Sequence, residues 1–227
     1  MKKVPGATRD AILAAAATAF AARGFSGTSV DSIAAASGFN KAMIYYHFRN
    51  KKGLYVEILR SVFRFMGART SDIADSDVDS GAKIEAFIDA FDNMAASRPY
   101  MPPIMMREMA EGAVHLDAGT LQLMGAIFRN LSRILREGTE NGAFRPADPL
   151  LTYFTLISPI IFFRATAPLR AALGRSAVPA AGTIDSAALV ANVKATVLAA
   201  LTVTKPPAFP PRPPRRRSRP TRPGDHA

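Results

Sequence analysis

Between Thr8 and Thr204 apolar residues recur at intervals of three and four, with no long alternating run to interrupt them. Only a period near 3.6 residues brings such positions onto one face, so the pattern predicts amphipathic helices and an all-α fold. Thr8 is placed to cap a first helix over about 9–23, with Ile12, Ala16 and Phe20 on one stripe and Gly24 as a left-handed stop. Thr28, with Asp31 three residues on, predicts a second helix whose Val30, Ile33 and Ala34 face inward, ended by Gly38. Asn40 then caps a third helix of two turns with Ile44 and Phe48 inward, and Asn50 caps a fourth running from Lys51 towards Asp72. The polar stretch 71–83 reads as a loop between layers. Further helices are expected near 81–97, 103–113, 117–141, 147–166 and 186–203, with turns at "SRPYMPP", "NGAFRPADP" and "GRSAVPAAG".

Charge divides the chain more sharply than hydropathy does. Residues 1–60 carry nine Lys/Arg against three acids, residues 61–204 carry 13 against 14, and residues 205–227 carry seven against one. Basic ends and a neutral middle point to an anionic partner at the ends and something else in the centre. The absence of cysteine excludes a disulfide scaffold and a thiolate metal site, and fits a cytoplasmic protein. "AILAAAATAFAA" resembles a signal-peptide core, but Arg9 and Asp10 abut it and it continues directly into the helical pattern. The apolar run of Leu150 to Phe163 is 14 residues long and holds Pro159; a bilayer span needs about 20, so it reads as a buried helix with no membrane partner. From Lys205 the composition turns to proline and arginine, which reads as a disordered basic tail over 205–227.

Two short helices around a glycine-containing turn make a helix-turn-helix over 29–48, in which the second helix enters the major groove of DNA. Phe20 and Gly24, "TSVDSIAAASG", the "YYHF" ending and the lysine at 51 together resemble the TetR family of bacterial repressors over residues 8–60. The resemblance implies a DNA-binding domain over 6–66 and a larger helical ligand-binding and dimerisation domain over 67–204. It also implies roles for the ring cluster: Tyr45 and His47 hold phosphates, Tyr46 reaches a base or sugar edge, and Phe48 anchors the helix. Rigid phenol and imidazole rings suit this, since they donate to phosphate oxygens and fix register. The alternative is three aromatics packing in a core. Thr28 and Ser29 would meet phosphates where the second helix begins, although Thr28 could equally be only a cap. Lys41 and Lys51 would add phosphate contacts. Ala42 and Met43 lie on the reading face, where Met43 offers no bidentate hydrogen bond, so base reading falls to thymine methyl contacts, Lys41, Tyr46 and DNA shape.

Beyond the first third the resemblance implies only an all-helical body. Six of nine methionines fall between Met94 and Met124, and methionine lines adaptable pockets as well as ordinary cores. Met66, Met94, Met101, Met105, Met109 and Met124, with Phe128 and Phe162, are the candidate lining of an effector cavity. Phe154, Ile157, Ile161 and Leu198, on the last two apolar helices, are the candidates for a homodimer interface. His47, His115 and His226 have no partners at metal-ligand spacing, and no phosphate-cradling loop occurs, so no catalytic residue, metal or cofactor is expected. The reading is a homodimeric repressor that binds palindromic double-stranded DNA and is released by a small, largely apolar molecule. The alternative is a nucleic-acid coating or architectural protein without sequence preference.

Overall fold

The computed structural model describes residues 5–203, so the basic tail from Lys205 lies outside the described residues. Among the described residues eleven helices follow one another: α1 (Pro5–Arg23), α2 (Val30–Ser37), α3 (Lys41–Phe48), α4 (Lys51–Asp75), α5 (Ser80–Ser97), α6 (Met101–Ala110), α7 (Ala118–Glu140), α8 (Pro149–Ala165), α9 (Ala167–Ser176), α10 (Pro179–Thr183) and α11 (Ser186–Leu201). No strand occurs among the described residues, as the helical period predicts. Asn40, Asn50, Asp79, Asp117, Asp148 and Asp185 each accept a backbone N–H from the first turn of the helix they precede. Such caps satisfy amides that would otherwise lack partners.

Four expectations change. Helix α1 starts at Pro5, so Thr8 is buried inside it and is not its cap. Ser29, not Thr28, caps α2, its hydroxyl oxygen accepting the Ser32 N–H at 3.1 Å. The loop expected over 71–83 shrinks to 76–79, because Ile73 and Ala74 are buried and carry α4 on to Asp75. Finally, α9 and α10 occupy the region read as a connection and a turn. Neither buries a residue, so no core-facing stripe marked them in the sequence.

One apolar cluster runs from Phe20, Ile33 and Ile44 through Leu54, Leu59 and Met66 of α4 to Phe87, Leu131, Leu156 and Val197. Helix α4 is its axis: 25 residues long, about 37 Å at 1.5 Å per residue, it touches α1 and α3 at one end and packs most extensively on α7. Helix α5 lies against α4, α7, α8 and α11. Helices α8 and α9 meet at a bend of 61°, and among the described residues no single helix is long and apolar enough to cross a membrane.

The start of α7 is tied to α4 by Asp117, whose Oδ2 accepts from Arg60 at 2.5 Å while Oδ1 accepts the Thr120 hydroxyl and amide at 2.7 and 2.9 Å. The Thr120 bonds first, then Arg60, lower the Asp117 carboxyl from 3.8 to about 2. A folded value below the unfolded one adds stability above the unfolded value and loses it as pH falls through the folded one. The urea midpoint should therefore drop more steeply from pH 3.8 to about 2 in the parent than in Asp117→Asn. Parallel profiles for the two proteins across that window would contradict this assignment.

Candidate nucleic-acid interface

The recognition helix α3 is eight residues long and is held from beneath and at both ends. Ile44 and Phe48, one turn apart, are buried and fasten its inner face to the core. Asn40 Oδ1 accepts the Met43 N–H at 3.0 Å, and Asn50 Oδ1 accepts the Gly53 N–H at 2.7 Å to start α4 directly after it. That junction is so close that a Cβ at position 53 would lie 2.3 Å from the Phe48 carbonyl oxygen, which is why glycine stands there. The turn before α3 closes on Gly38 at φ 72°, a left-handed conformation that glycine adopts without a side-chain clash.

With the inner face committed, the outer face of α3 consists of Lys41, Ala42, Tyr45 and Tyr46. Tyr46 is 80% exposed, the most open aromatic of the described chain. Ser29 is exposed at the N-terminus of α2, where unpaired amides favour anions. Lys41 reaches back to Asp31 of α2 at 2.5 Å, and the hydrogen bond and charge of Asp31 raise its pKa. To meet a phosphate it must exchange Asp31 for it. Met43 is half-buried against the core, so only part of it faces outward.

Three residues expected at the DNA are not openly exposed. Thr28 is buried, and its hydroxyl donates to the carbonyls of Gly24 at 2.8 Å and Ala19 at 3.1 Å, closing the turn between α1 and α2 instead of facing solvent. Lys51 is turned inward too. Its Nζ donates to the Phe25 and Thr28 carbonyls at 3.0 and 3.1 Å and stands 4.3 Å from the Phe25 ring centroid. The Phe25 carbonyl also accepts the Thr28 N–H at 3.3 Å, and the ammonium ties this carbonyl and that of Thr28 to the start of α4. His47 packs edge-on to Tyr46 with centroids 5.1 Å apart, and its Nε2 is buried without a hydrogen-bond partner, so only Nδ1 is left for a phosphate. Arg49, Lys52 and Arg23 are exposed around the same face, Arg23 donating to Ser32 at 3.1 Å. Their positive charges beside the helix-turn-helix were the sequence signal for them.

A sequence profile of the bacterial regulatory proteins of the tetR family matches residues 12–58. The HTH-type transcriptional repressor KstR2 of Rhodococcus jostii (strain RHA1) is 31% identical over 139 residues, which are 60% of this chain and 68% of that protein. The chain belongs to the TetR family. It is a DNA-binding regulator of transcription and not an enzyme. The HTH-type transcriptional regulator RutR of Escherichia coli (strain K12) is 27% identical over 143 residues, 63% of this chain and 67% of its own. Among solved structures, KstR2 of Mycobacterium tuberculosis shares the fold with a TM-score of 0.66 at 24% identity, covering 86% of this chain and 94% of that one. The regulator FadR from Bacillus halodurans does so with a TM-score of 0.69 at 20% identity, covering 87% and 97%.

Behind the interface of this TetR-family chain, the end of α6 and the turn after it are bound to α1, α4 and the turn before α2. Glu108 is 1% exposed; its Oε2 accepts the Tyr55 hydroxyl at 2.9 Å and lies 3.0 Å from His115 Nδ1, and its Oε1 accepts the His115 N–H at 2.8 Å. Burial first, then the bond to Glu108, raise the Tyr55 phenol above its ordinary value. The His115 ring lies 4.1 Å from that of Phe25, and Arg107 donates to the Ala22 carbonyl at 3.2 Å. Helical spacing alone placed Glu108 and Glu111 on one face. A turn with Gly112 at φ 77° and Ala113 at φ 61° folds His115 back onto them.

The residues expected to line a cavity lie in different surroundings. Met66, Met94, Met101 and Met105 are buried in the continuous core, whereas Met109 and Phe162 are more than half exposed, at 58% and 57%. Met124 is half-buried against the core, and Phe128 lies 6.1 Å from Tyr153, centroid to centroid. Met94 lines a groove between α4 and α5, and Phe162 one between α8 and α9. Of the four expected interface residues, Phe154 is 52% exposed, but Ile157 and Ile161 are only 9% exposed and face their own core, and Leu198 is half-buried. Helix α8 is apolar on nearly all sides, so periodicity could not choose its outer face. Leu150 and Leu151 are exposed on the same helix and were not singled out for that reason.

Proposed function

We propose that two copies of the chain act in the cytoplasm as a repressor on one palindromic operator, and that a small, largely apolar molecule releases them. The observation that carries the reading is the exposed Lys41–Tyr46 face on a helix held by two buried anchors and the Asn40 cap, with α4 starting at Asn50 directly after it. Eight residues span about 12 Å, too little groove for useful selection by one copy. A second copy related by a two-fold axis doubles the contact and makes the site palindromic. In this reading residues 6–66 form the DNA-binding part, with its helix-turn-helix at 29–48, and 67–204 carry the dimer and effector surfaces. Helix α4 runs from one to the other, so tilting it would change the separation of the recognition helices. A coupling of about 1–3 kcal/mol would shift operator affinity some 5- to 150-fold.

Coating DNA without sequence preference is the rival, and a recognition helix capped by Asn40 and anchored by Ile44 and Phe48 is more than such coating requires. Selection of bound DNA from a random pool separates the two: an inverted repeat supports the repressor, and no enrichment supports coating. On the selected site, Tyr46→Ala should weaken binding by about 1–3 kcal/mol. Removing the residues after Thr204 should leave the selected sequence unchanged while flattening the dependence of affinity on salt, because that segment adds charge and no base contact. Unaltered operator affinity in Tyr46→Ala would remove this residue from the interface.

A further inference from the structure

Between α4 and the C-terminal half of α5 lies a groove of about 510 Å³, lined by Phe65 and Arg69 on one side and Ala90, Asn93, Met94 and Ser97 on the other. Its size falls in the range of small-molecule sites, about 300–1,000 Å³. Ala90 and Met94 are buried and make an apolar floor. Phe65 forms a wall; it is 45% exposed, although its neighbours Val62, Phe63 and Met66 on the same helix are buried. The Arg98 guanidinium lies over this ring, 4.2 Å from its centroid.

The charges around the groove are unbalanced. Arg9, Arg60, Arg64, Arg133 and Arg164 each pair with an aspartate or glutamate. Neither Arg69 nor Arg98 has such a partner among the described residues; Arg98 donates to the Ser97 hydroxyl at 3.3 Å and faces Tyr100. The lining contains no acid, and Asn93 and Ser97 are neutral hydrogen-bonding groups. An apolar floor, a half-exposed aromatic wall with one guanidinium over it, and two guanidinium groups without a carboxylate partner are complementary to one kind of molecule.

We propose that this groove binds a flat, largely apolar monoanion, its rings against Phe65 and its carboxylate or sulfonate on Arg69 and Arg98. The assignment of the site stands on the groove alone; its regulatory consequence rests on the ligand-release reading above. That consequence has a short route. Arg69 is 18 residues along α4 from Lys51, about 27 Å from the start of that uninterrupted helix directly after the recognition helix.

The test uses the full chain with two fluorophores of similar shape, 1-anilinonaphthalene-8-sulfonate and the neutral N-phenyl-1-naphthylamine. Arg69→Ala and Arg98→Ala should each raise the Kd of the sulfonate about tenfold and leave that of the neutral compound unchanged. Phe65→Ala should weaken both. Because Phe65 and Arg69 are exposed, these variants should unfold at the parent temperature, measured by circular dichroism. Sulfonate affinity unchanged in all three variants, or equal changes for both fluorophores in the arginine variants, would overturn the proposal. An operator titration at saturating sulfonate keeps the two ideas apart. Discrimination between the fluorophores with no change in operator Kd leaves the site standing and removes release through it.

Discussion

Replacing Leu151 and Phe154 together by glutamate should convert a dimer into a monomer and weaken operator binding by at least a hundredfold. Both side chains are exposed on the outer face of α8, at 68% and 52%, one turn apart. Beside them α11 turns Ala188, Ala195 and Ala199 outward, a flat surface into which large side chains of a second copy can pack. Two carboxylates per copy, four across the two-fold axis, would have to be desolvated there without partners. Losing the second recognition helix then removes the gain from divalent engagement, on the order of 10²–10⁴. Light scattering at micromolar concentration should fall from twice the chain mass to 24.3 kDa, and helical circular dichroism should stay at the parent value. Ile157→Ala provides the contrast: it opens a cavity in the chain's own core, lowering the melting temperature with less effect on mass. A double variant that remains dimeric with parent operator affinity would place the interface elsewhere.

Glu108→Ala should lower folding stability by about 2–4 kcal/mol, since the buried Tyr55 hydroxyl and the His115 amide both lose their acceptor. Tyr55→Phe should cost less, about 1 kcal/mol, because the carboxyl keeps its two contacts with His115. The network joins α4, α6 and the turn carrying Phe25, which leads into α2. Operator affinity should accordingly fall in Glu108→Ala even where urea titration shows the protein fully folded. A Glu108→Ala variant within 0.5 kcal/mol of the parent, on the scale of an ordinary surface substitution, would mean that the cluster holds nothing together.

The order and type of the main helices were legible in the sequence because they depend on local chemistry. Asn40 and Asn50 cap what they were expected to cap, and Ile44 and Phe48 are buried one turn apart. Gly38 takes the left-handed turn. Each of these follows from a residue's own backbone preference or from a spacing of three or four positions. The open face of α3 was legible for the same reason: once Ile44 and Phe48 point inward, geometry sends Tyr45 and Tyr46 outward. Other assignments needed partners distant in sequence. Thr28 and Lys51 carry groups suited to phosphate, yet the carbonyls of the turn between α1 and α2 take both, and which carbonyls come within their reach is set only when that turn folds. His115 joins Glu108 through two consecutive left-handed residues, one of them Ala113, for which residue type gives no warning. The methionines and the isoleucines of α8 show the same limit from the apolar side. Hydrophobic burial has no direction, so composition says that Met105 and Ile157 will be covered, and only the packing of α4, α5, α7 and α8 decides that their own chain covers them.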